Sequence, residues 1–437
     1  MGRASFAGCD PYLVMRARGA HVELECLRAV RPGLSPGEKH FDADPFEVLR
    51  RLMPRVPPAR APSPDFIGGA VGYLGYELAD LIEPIGLPVA GAGALPDLTM
   101  LFIDRLVAWD ADAGGLAVHT LGFGHDACAA RECAEASAEA FAADVASLRP
   151  SAASLRSHRR AAGALLRPFD TASHALAIDA VKQRIAAGDV YQVCLTDRLE
   201  RSYDGDPWQL YRRLRDANPA PFAAYLELLE GAVVCSSPER FLRVASDRSV
   251  ESRPIKGTAP RGADAAEDAE NSEWLRHSEK DRAENLMIVD LVRNDLGRVC
   301  ETGSIRVPEL MAIEAYATVF QMVSTVSGRL RPECDAFDLV RASFPPGSMT
   351  GAPKIAAMRI LNQLETARRG VYSGALGYFD ARGGADLCVV IRTILVQEGR
   401  AHVHSGGGLV AESEPSSEIR ELLDKARPLL SVLGDEP

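Results

Sequence analysis

Ser252-Arg253-Pro254-Ile255-Lys256-Gly257-Thr258 is the stretch from which the rest of this chain is read. Proline fixes its own φ and glycine leaves the backbone bare, so Lys256 stands in a stiff frame beside a position that lets a ligand come close. On these residues alone two readings are open. One is a solvated lysine ahead of an ordinary turn, since charged side chains mostly sit at the surface; the other is a reactive amine on display. The segments on either side bear on the choice.

Upstream, short apolar runs at 223–229 and 232–235 read as strands, and the second leads into Ser236-Ser237-Pro238-Glu239-Arg240-Phe241. Glu239, directly after Ser-Pro, is either a solvated turn carboxylate or a positioned acid. Further back, helical spacing over 172–187 stops at Gly188-Asp189, and 190–195 reads as a strand carrying Gln192. Downstream, the acidic, alanine-rich 264–273 reads as a mobile surface loop, followed by helical spacing over 279–292. There Asp281 and Glu284 share a face, with Leu286, Ile288, Val289 and Val292 supplying apolar surface. The device recurs at 417–427, where Glu418 and Glu421 are three apart and Lys425 lies one turn beyond. Acidic pairs on helices are often solvated, but adjacent carboxylates repel unless a cation sits between them. A hard divalent ion with oxygen ligands, Mg²⁺, suits such a set.

Between these helices, Pro345-Pro346-Gly347-Ser348-Met349-Thr350-Gly351-Ala352-Pro353-Lys354 precedes a helical pattern running to 367. A glycine-rich turn at a helix start offers free N–H groups to a carboxylate or phosphate, although the spacing is not that of a P-loop. Residues 389–393 read as an apolar strand containing Arg392, which needs an anionic partner if buried. Gly406-Gly407-Gly408 presents a second bare backbone. The residues together sketch a small, multiply anionic substrate, a metal and a lysine nucleophile.

The N-terminal part differs in texture. Residues 1–125 are short apolar segments cut by Gly and Pro, densest from Pro64 to Glu77, and 99–109 reads as one strand. Residues 126–147 read as a helix and 151–167 as linker. The expected organisation is a strand-rich domain at 1–147, a crossover at 148–168 and a second domain at 169–437. With 60 acidic against 49 basic side chains, a net charge of -11 and no basic run interleaved with aromatics, a nucleic-acid partner is not expected. Nine cysteines without a C-x-x-C pair, no signal peptide and no bilayer-length apolar run point to a soluble protein of the reducing cytoplasm.

Four stretches resemble the chorismate-utilising enzymes: 252–258, Asp281-Arg282-Ala283-Glu284-Asn285-Leu286-Met287-Ile288-Val289-Asp290, Gly347 to Lys354, and Ala411-Glu412-Ser413-Glu414-Pro415 through to Glu421. The resemblance covers 170–430 densely, and 66–77 extends it toward the N-terminus. It implies an α+β fold of two large antiparallel β-sheets packed across one another with helices outside. Within the family, members that add water to form isochorismate or salicylate carry a lysine where Gln192 stands, and anthranilate-forming members carry a small residue where Lys256 stands. The chain is therefore most similar to the branch that makes 4-amino-4-deoxychorismate from chorismate and ammonia, toward para-aminobenzoate and folate. The alternatives are an anthranilate synthase component I activity or a catalytically silent chorismate-binding protein.

Carried over on the matching positions, the resemblance implies that Glu284 and Glu421 bind Mg²⁺ directly, with Asp281 and Glu418 acting directly or through water. Lys425, Arg392 and the backbone at Gly351 and Gly407 hold the substrate carboxylates; Thr258, with Gly257 and Gln192, contacts the ring. Glu239 is the general acid and Lys256 the nucleophile, which requires a partly deprotonated amine. Where anthranilate-type relatives place a histidine, this chain reads Val319-Phe320-Gln321-Met322-Val323-Ser324, so that histidine's role is not transferred. No Leu-Leu-Glu-Ser element is found, and tryptophan inhibition is not expected. Nothing resembles a glutaminase with a cysteine nucleophile, so ammonia is expected from a separate glutamine amidotransferase subunit or from ammonium salts.

Overall fold

Strands with one apolar face need a second layer to cover it, and two large antiparallel sheets supply each other with one. They are seen in a computed structural model that describes residues 4–31, 33–57, 65–91, 93–111, 114–149 and 163–434. Among these residues the larger sheet has twelve strands. From one edge it runs Ile255–Pro260, Val319–Arg329, Ser249–Arg253, Arg240–Val244, Ala385–Val389, Ala375–Asp380, Gly69–Leu74, Leu98–Ile103, Leu13–Arg18, His21–Cys26 and Gly37–Asp42, with Arg306–Ala315 also on Val319–Arg329. Strands from 13–103 and from 240–389 thus share one hydrogen-bonded layer. The smaller sheet has seven strands, in the order Phe222–Leu228, Gly231–Ser237, Thr393–Gln397, Arg400–Leu409, Gln192–Ser202 and Gly351–Ala352, with Leu165–Arg167 also beside Gln192–Ser202.

The sheets meet through one apolar layer, in which Tyr73, Leu376 and Cys388 of the larger pack with Leu226, Val233, Cys235 and Leu395 of the smaller. Helices cover the outer faces. Glu279–Gly297 buries Ile288, Val289, Val292 and Leu296 in a cluster with Val326, Leu330 and Phe344, each side chain contributing roughly 1.5–3 kcal/mol as an upper estimate. Pro415–Val432 buries Leu422, Ala426 and Leu429 with Ala401 and Val403 of the smaller sheet. The α+β architecture of two antiparallel sheets is as the resemblance implies. Among the described residues no helix is long and apolar enough to cross a membrane.

Several local expectations need correction. Residues 264–273 are not a loop but the first part of the helix Ala265–His277. Asp264 caps it by accepting from the N–H groups of Ala266 and Glu267, and a single fully buried residue, Leu275, anchors it; a lone anchor leaves almost no apolar period to detect. The run 99–109 is two strands, Leu98–Ile103 and Arg105–Asp110, in different sheets. They break at the buried Asp104, which Arg28 holds at 2.6 Å. Most of 151–167 lies outside the described residues, yet Leu165–Arg167 pairs with the Gln192 strand. The helix expected to reach 367 ends at Leu364.

Candidate active site

Two corners of the chain build the heart of the site. At Pro238-Glu239 the chain passes from the seven-stranded sheet, which it leaves at Ser237, to the twelve-stranded one, which it enters at Arg240. At Val390-Ile391-Arg392 it crosses back, from Ala385–Val389 to Thr393–Gln397. The continuous strand expected over 389–393 is therefore broken, because the chain changes layers there. Arg392 takes φ +51°, a conformation that costs on the order of 1–3 kcal/mol for a non-glycine residue and is held only by its surroundings. Those surroundings are the other corner: the Ser237 hydroxyl donates to the Val389 carbonyl at 2.6 Å, the Val389 N–H to the Glu239 carbonyl at 3.0 Å, and the Ser236 N–H to the Arg392 carbonyl at 3.1 Å.

Glu239 is 4% exposed, and burial pushes its carboxyl up to about 7 against the opposing pull of the Ser348 hydroxyl, Lys256 and Lys425. Lys256 reaches the same loop, its Nζ donating to the Ser348 carbonyl at 3.3 Å. Burial disfavours its ammonium, but Glu284, Glu239 and Glu421 together outweigh that and raise its pKa. The expected partly deprotonated amine is thus not the resting state, because carboxylates crowd the desolvated nitrogen.

The bare strip of the Arg400–Leu409 strand gathers the remaining groups. A Cβ on Gly407 would lie 3.3 Å from Glu418 Oε2 and 3.4 Å from Glu421 Oε1. On Gly408 it would lie 3.1 Å from Lys256 Nζ and 3.2 Å from Glu284 Oε2, and would run into Gln192 Nε2. Gln192, 1% exposed, donates to Glu284 Oε2 at 3.2 Å and leaves its own Oε1 without a partner. Glu284 and Glu418 lie four residues before Ile288 and Leu422, on the buried stripes of their helices, which is why both acids face inward. Burial raises the pKa of Glu284, countered by Lys256 and Lys280. Glu421 is also desolvated, but Lys425, at 2.5 Å, brings its carboxyl below the usual value. Arg392 donates to the Lys425 carbonyl and, among the described residues, makes no ion pair with a carboxylate. It is a desolvated cation with donors to spare.

Among the described residues no three acidic, imidazole or thiol side chains close around one point as a metal cage. The cations that the acidic pairs require are the chain's own ammoniums, from Lys256, Lys280 and Lys425. Glu418 Oε2 nevertheless is buried and unpartnered, and it converges with Glu421 Oε1 on the space a Cβ at Gly407 would fill. An all-oxygen set of that kind fits a hard divalent cation.

Other expected residues stand apart. Thr258 is exposed on its strand. Gly257, at φ +89°, is bare for the protein's own helices rather than for a ligand: a Cβ there would meet Asp281 Cβ at 2.9 Å and Leu275 at 3.0 Å. Gly351, at φ +143°, is packed on the Gln192 carbonyl and on Ala357. Asp281 is half-buried beside Glu284, whose pKa it raises slightly. Sequence reading missed Lys280, Ser348 and Arg369. Lys280 could have been found by its i, i+4 spacing to Glu284, and Arg369 by the same spacing to Glu365. Arg369, fully buried, donates to the Cys194 and Met349 carbonyls at 2.6 Å each, tying the Gln192 strand to the Ser348 loop.

The family model for chorismate binding enzymes matches residues 14–431. An aminodeoxychorismate synthase of Streptomyces pristinaespiralis is 44% identical over 91% of this chain, and the chain spans only 55% of that protein's length. An aminodeoxychorismate synthase component 1 of Klebsiella aerogenes is 39% identical over 90% of this chain and 83% of its own. Among solved structures, anthranilate synthase component I from Streptococcus pneumoniae TIGR4 superposes with a TM-score of 0.82 at 28% identity, covering 98% of this chain and 92% of that one.

Proposed function

The chain belongs to the chorismate-binding enzymes, and on that premise we propose that it converts chorismate and ammonia to 4-amino-4-deoxychorismate, the precursor of para-aminobenzoate in folate synthesis. The observation that carries this reading is the placement of Lys256 and Glu239 beside the one Ser348 loop, a half-buried amine donating to the Ser348 carbonyl at 3.3 Å and a buried carboxyl that burial pushes up to about 7. Moving one proton from Lys256 to Glu239 turns the first into a nucleophile and the second into an acid.

In the proposed reaction the Lys256 amine bonds to ring C2, the two ring double bonds each shift one position, and the C4–O bond breaks. Glu239 gives its proton to the departing oxygen, which leaves as water. Ammonia then adds at C4, the double bonds return, and the Lys256 amine is expelled. The enolpyruvyl group stays on the ring throughout, so a separate lyase must act later. Arg392 and Lys425, with the backbone at Gly407, bind the carboxylates, and Gln192 borders the ring. Glu284, Glu418 and Glu421, with Asp281 beside them, would hold Mg²⁺, which supplies a Lewis acid and balances charge at the ring carboxylate. Residues 169–437 would be the catalytic part, flanked by 1–147. The name component 1 of a relative at 39% identity motivates assigning ammonia supply to a separate glutamine amidotransferase chain.

Incubation with chorismate, Mg²⁺ and ammonium is expected to yield, by mass spectrometry, chorismate with one hydroxyl replaced by an amine; glutamine alone should give none. Release of anthranilate and pyruvate would overturn the reading. A second expectation concerns the bare strip. Gly408→Ala should lower kcat/KM by about 100-fold, the scale of a 1 Å misplacement of reacting groups. The melting temperature should move by only a few degrees, because the added methyl meets the ends of flexible side chains. A variant with normal kcat/KM would show that the strip does not set the positions of Lys256 and Glu284.

A further inference from the structure

Lys280 occupies the second position of the helix Glu279–Gly297, where the positive end of the helix dipole opposes a cation. Its side chain turns to the neighbouring helix nonetheless. Nζ lies 3.1 Å from Glu418 Oε1 and 3.9 Å from Glu284 Oε1, so one ammonium bridges acids from two helices that are far apart in sequence. Glu418 is 3% exposed, and its Oε1 is completed by the Ser413 hydroxyl at 2.7 Å while Oε2 has no partner. The three lysines of the site are held differently. Lys256 donates to the Ser348 carbonyl, and Lys425 to the Gly406 carbonyl at 3.0 Å while pairing with Glu421 on its own helix. Lys280 meets the two carboxylates, and its side chain is 44% exposed, with an open path to solvent.

We propose that Lys280 is the internal counter-ion of the cation site: in the metal-free protein its ammonium bridges Glu284 and Glu418, and a divalent cation binds by displacing it into solvent. This rests on the assignment of these carboxylates to a metal under the proposed function. Lys280 lies on the Oε1 atoms of Glu284 and Glu418, while their Oε2 atoms face the space along Gly407 and Gly408. A divalent ion there would share the same two carboxylates with the ammonium, and like charges across one carboxylate in a partly desolvated site repel. The lysine therefore keeps the acids paired when no metal is present, and it weakens metal binding by competing for the same carboxylates.

The test is calorimetric titration of the full chain with Mg²⁺ alone, without chorismate. Lys280→Gln is expected to bind Mg²⁺ about tenfold more tightly than the parent, the effect of removing one charge-assisted hydrogen bond from the competing state. In the parent protein, acylation of Lys280 by an amine-reactive probe, read by peptide mass spectrometry, should rise several-fold on adding Mg²⁺. Affinity in Lys280→Gln equal to or weaker than the parent's, or labelling of Lys280 indifferent to Mg²⁺, would overturn the proposal while leaving the metal assignment in place. If Mg²⁺ at millimolar concentration binds neither protein, the metal assignment and the role of Lys280 fall together.

Discussion

Lys256→Ala is expected to lower turnover of chorismate at low ammonia by about 1000-fold or more, a loss on the scale of removing a covalent nucleophile. At high ammonium the deficit should shrink, because direct addition at C4 does not need the lysine. The substitution also removes the cation that favours ionised Glu239 and Glu284, so both carboxyls should titrate higher in the variant. That second effect can be read by the pH dependence of thermal unfolding without substrate. A variant that keeps turnover within tenfold of the parent at low ammonia would remove the amine from the mechanism.

Glu239→Gln is expected to cost about 100- to 10,000-fold in kcat/KM, the usual range for a lost general acid, and to change the shape of the pH profile. The working state of the pair holds one proton, on Glu239 rather than on Lys256. Below about 7 both groups are protonated and the amine cannot attack. The parent's kcat/KM should therefore climb about tenfold per pH unit up to about 7 and then level off, an inflection that belongs to the pair. In Glu239→Gln the climb should continue past that point without a break, because only the lysine remains to titrate. An inflection near 7 that survives the substitution would have to come from another group.

The same carboxyl has a stability signature of definite sign. Its folded pKa, about 7, lies above the ordinary glutamate value of 4.5, so the folded protein binds an extra proton between those limits. The contribution of Glu239 to stability is fully present below 4.5 and is lost as pH rises through about 7, a change of roughly 3 kcal/mol at most. Glu239→Gln should flatten that part of the stability curve.

Much of this was legible along the chain. The helices Thr171–Ala186 and Glu279–Gly297 followed from spacing, and Ala127–Ser147 from its Ala- and Glu-rich composition, and Lys256, Glu239, Gln192 and the acidic pairs stood out by residue type and neighbours. The helix Ala265–His277 was missed because one buried leucine leaves no period to see, although its cap, Asp264, was in plain view. The break at Arg392 was missed because an apolar run looks the same whether it stays in one sheet or turns a corner into another. Gly257 was noticed for the right property and the wrong reason, since the group that approaches it is the protein's own helix.

The chain by itself determined which residues face inward on the helices that show an apolar period, such as Glu279–Gly297, because side-chain direction repeats with the local backbone period. Only the tertiary structure decided that burial pushes the Glu239 carboxyl up, that carboxylates around Lys256 favour its ammonium and that Lys280 lies across two acids. Desolvation and Coulomb interaction depend on distances through space between residues 17 to 138 positions apart, and spacing along the chain does not encode those distances.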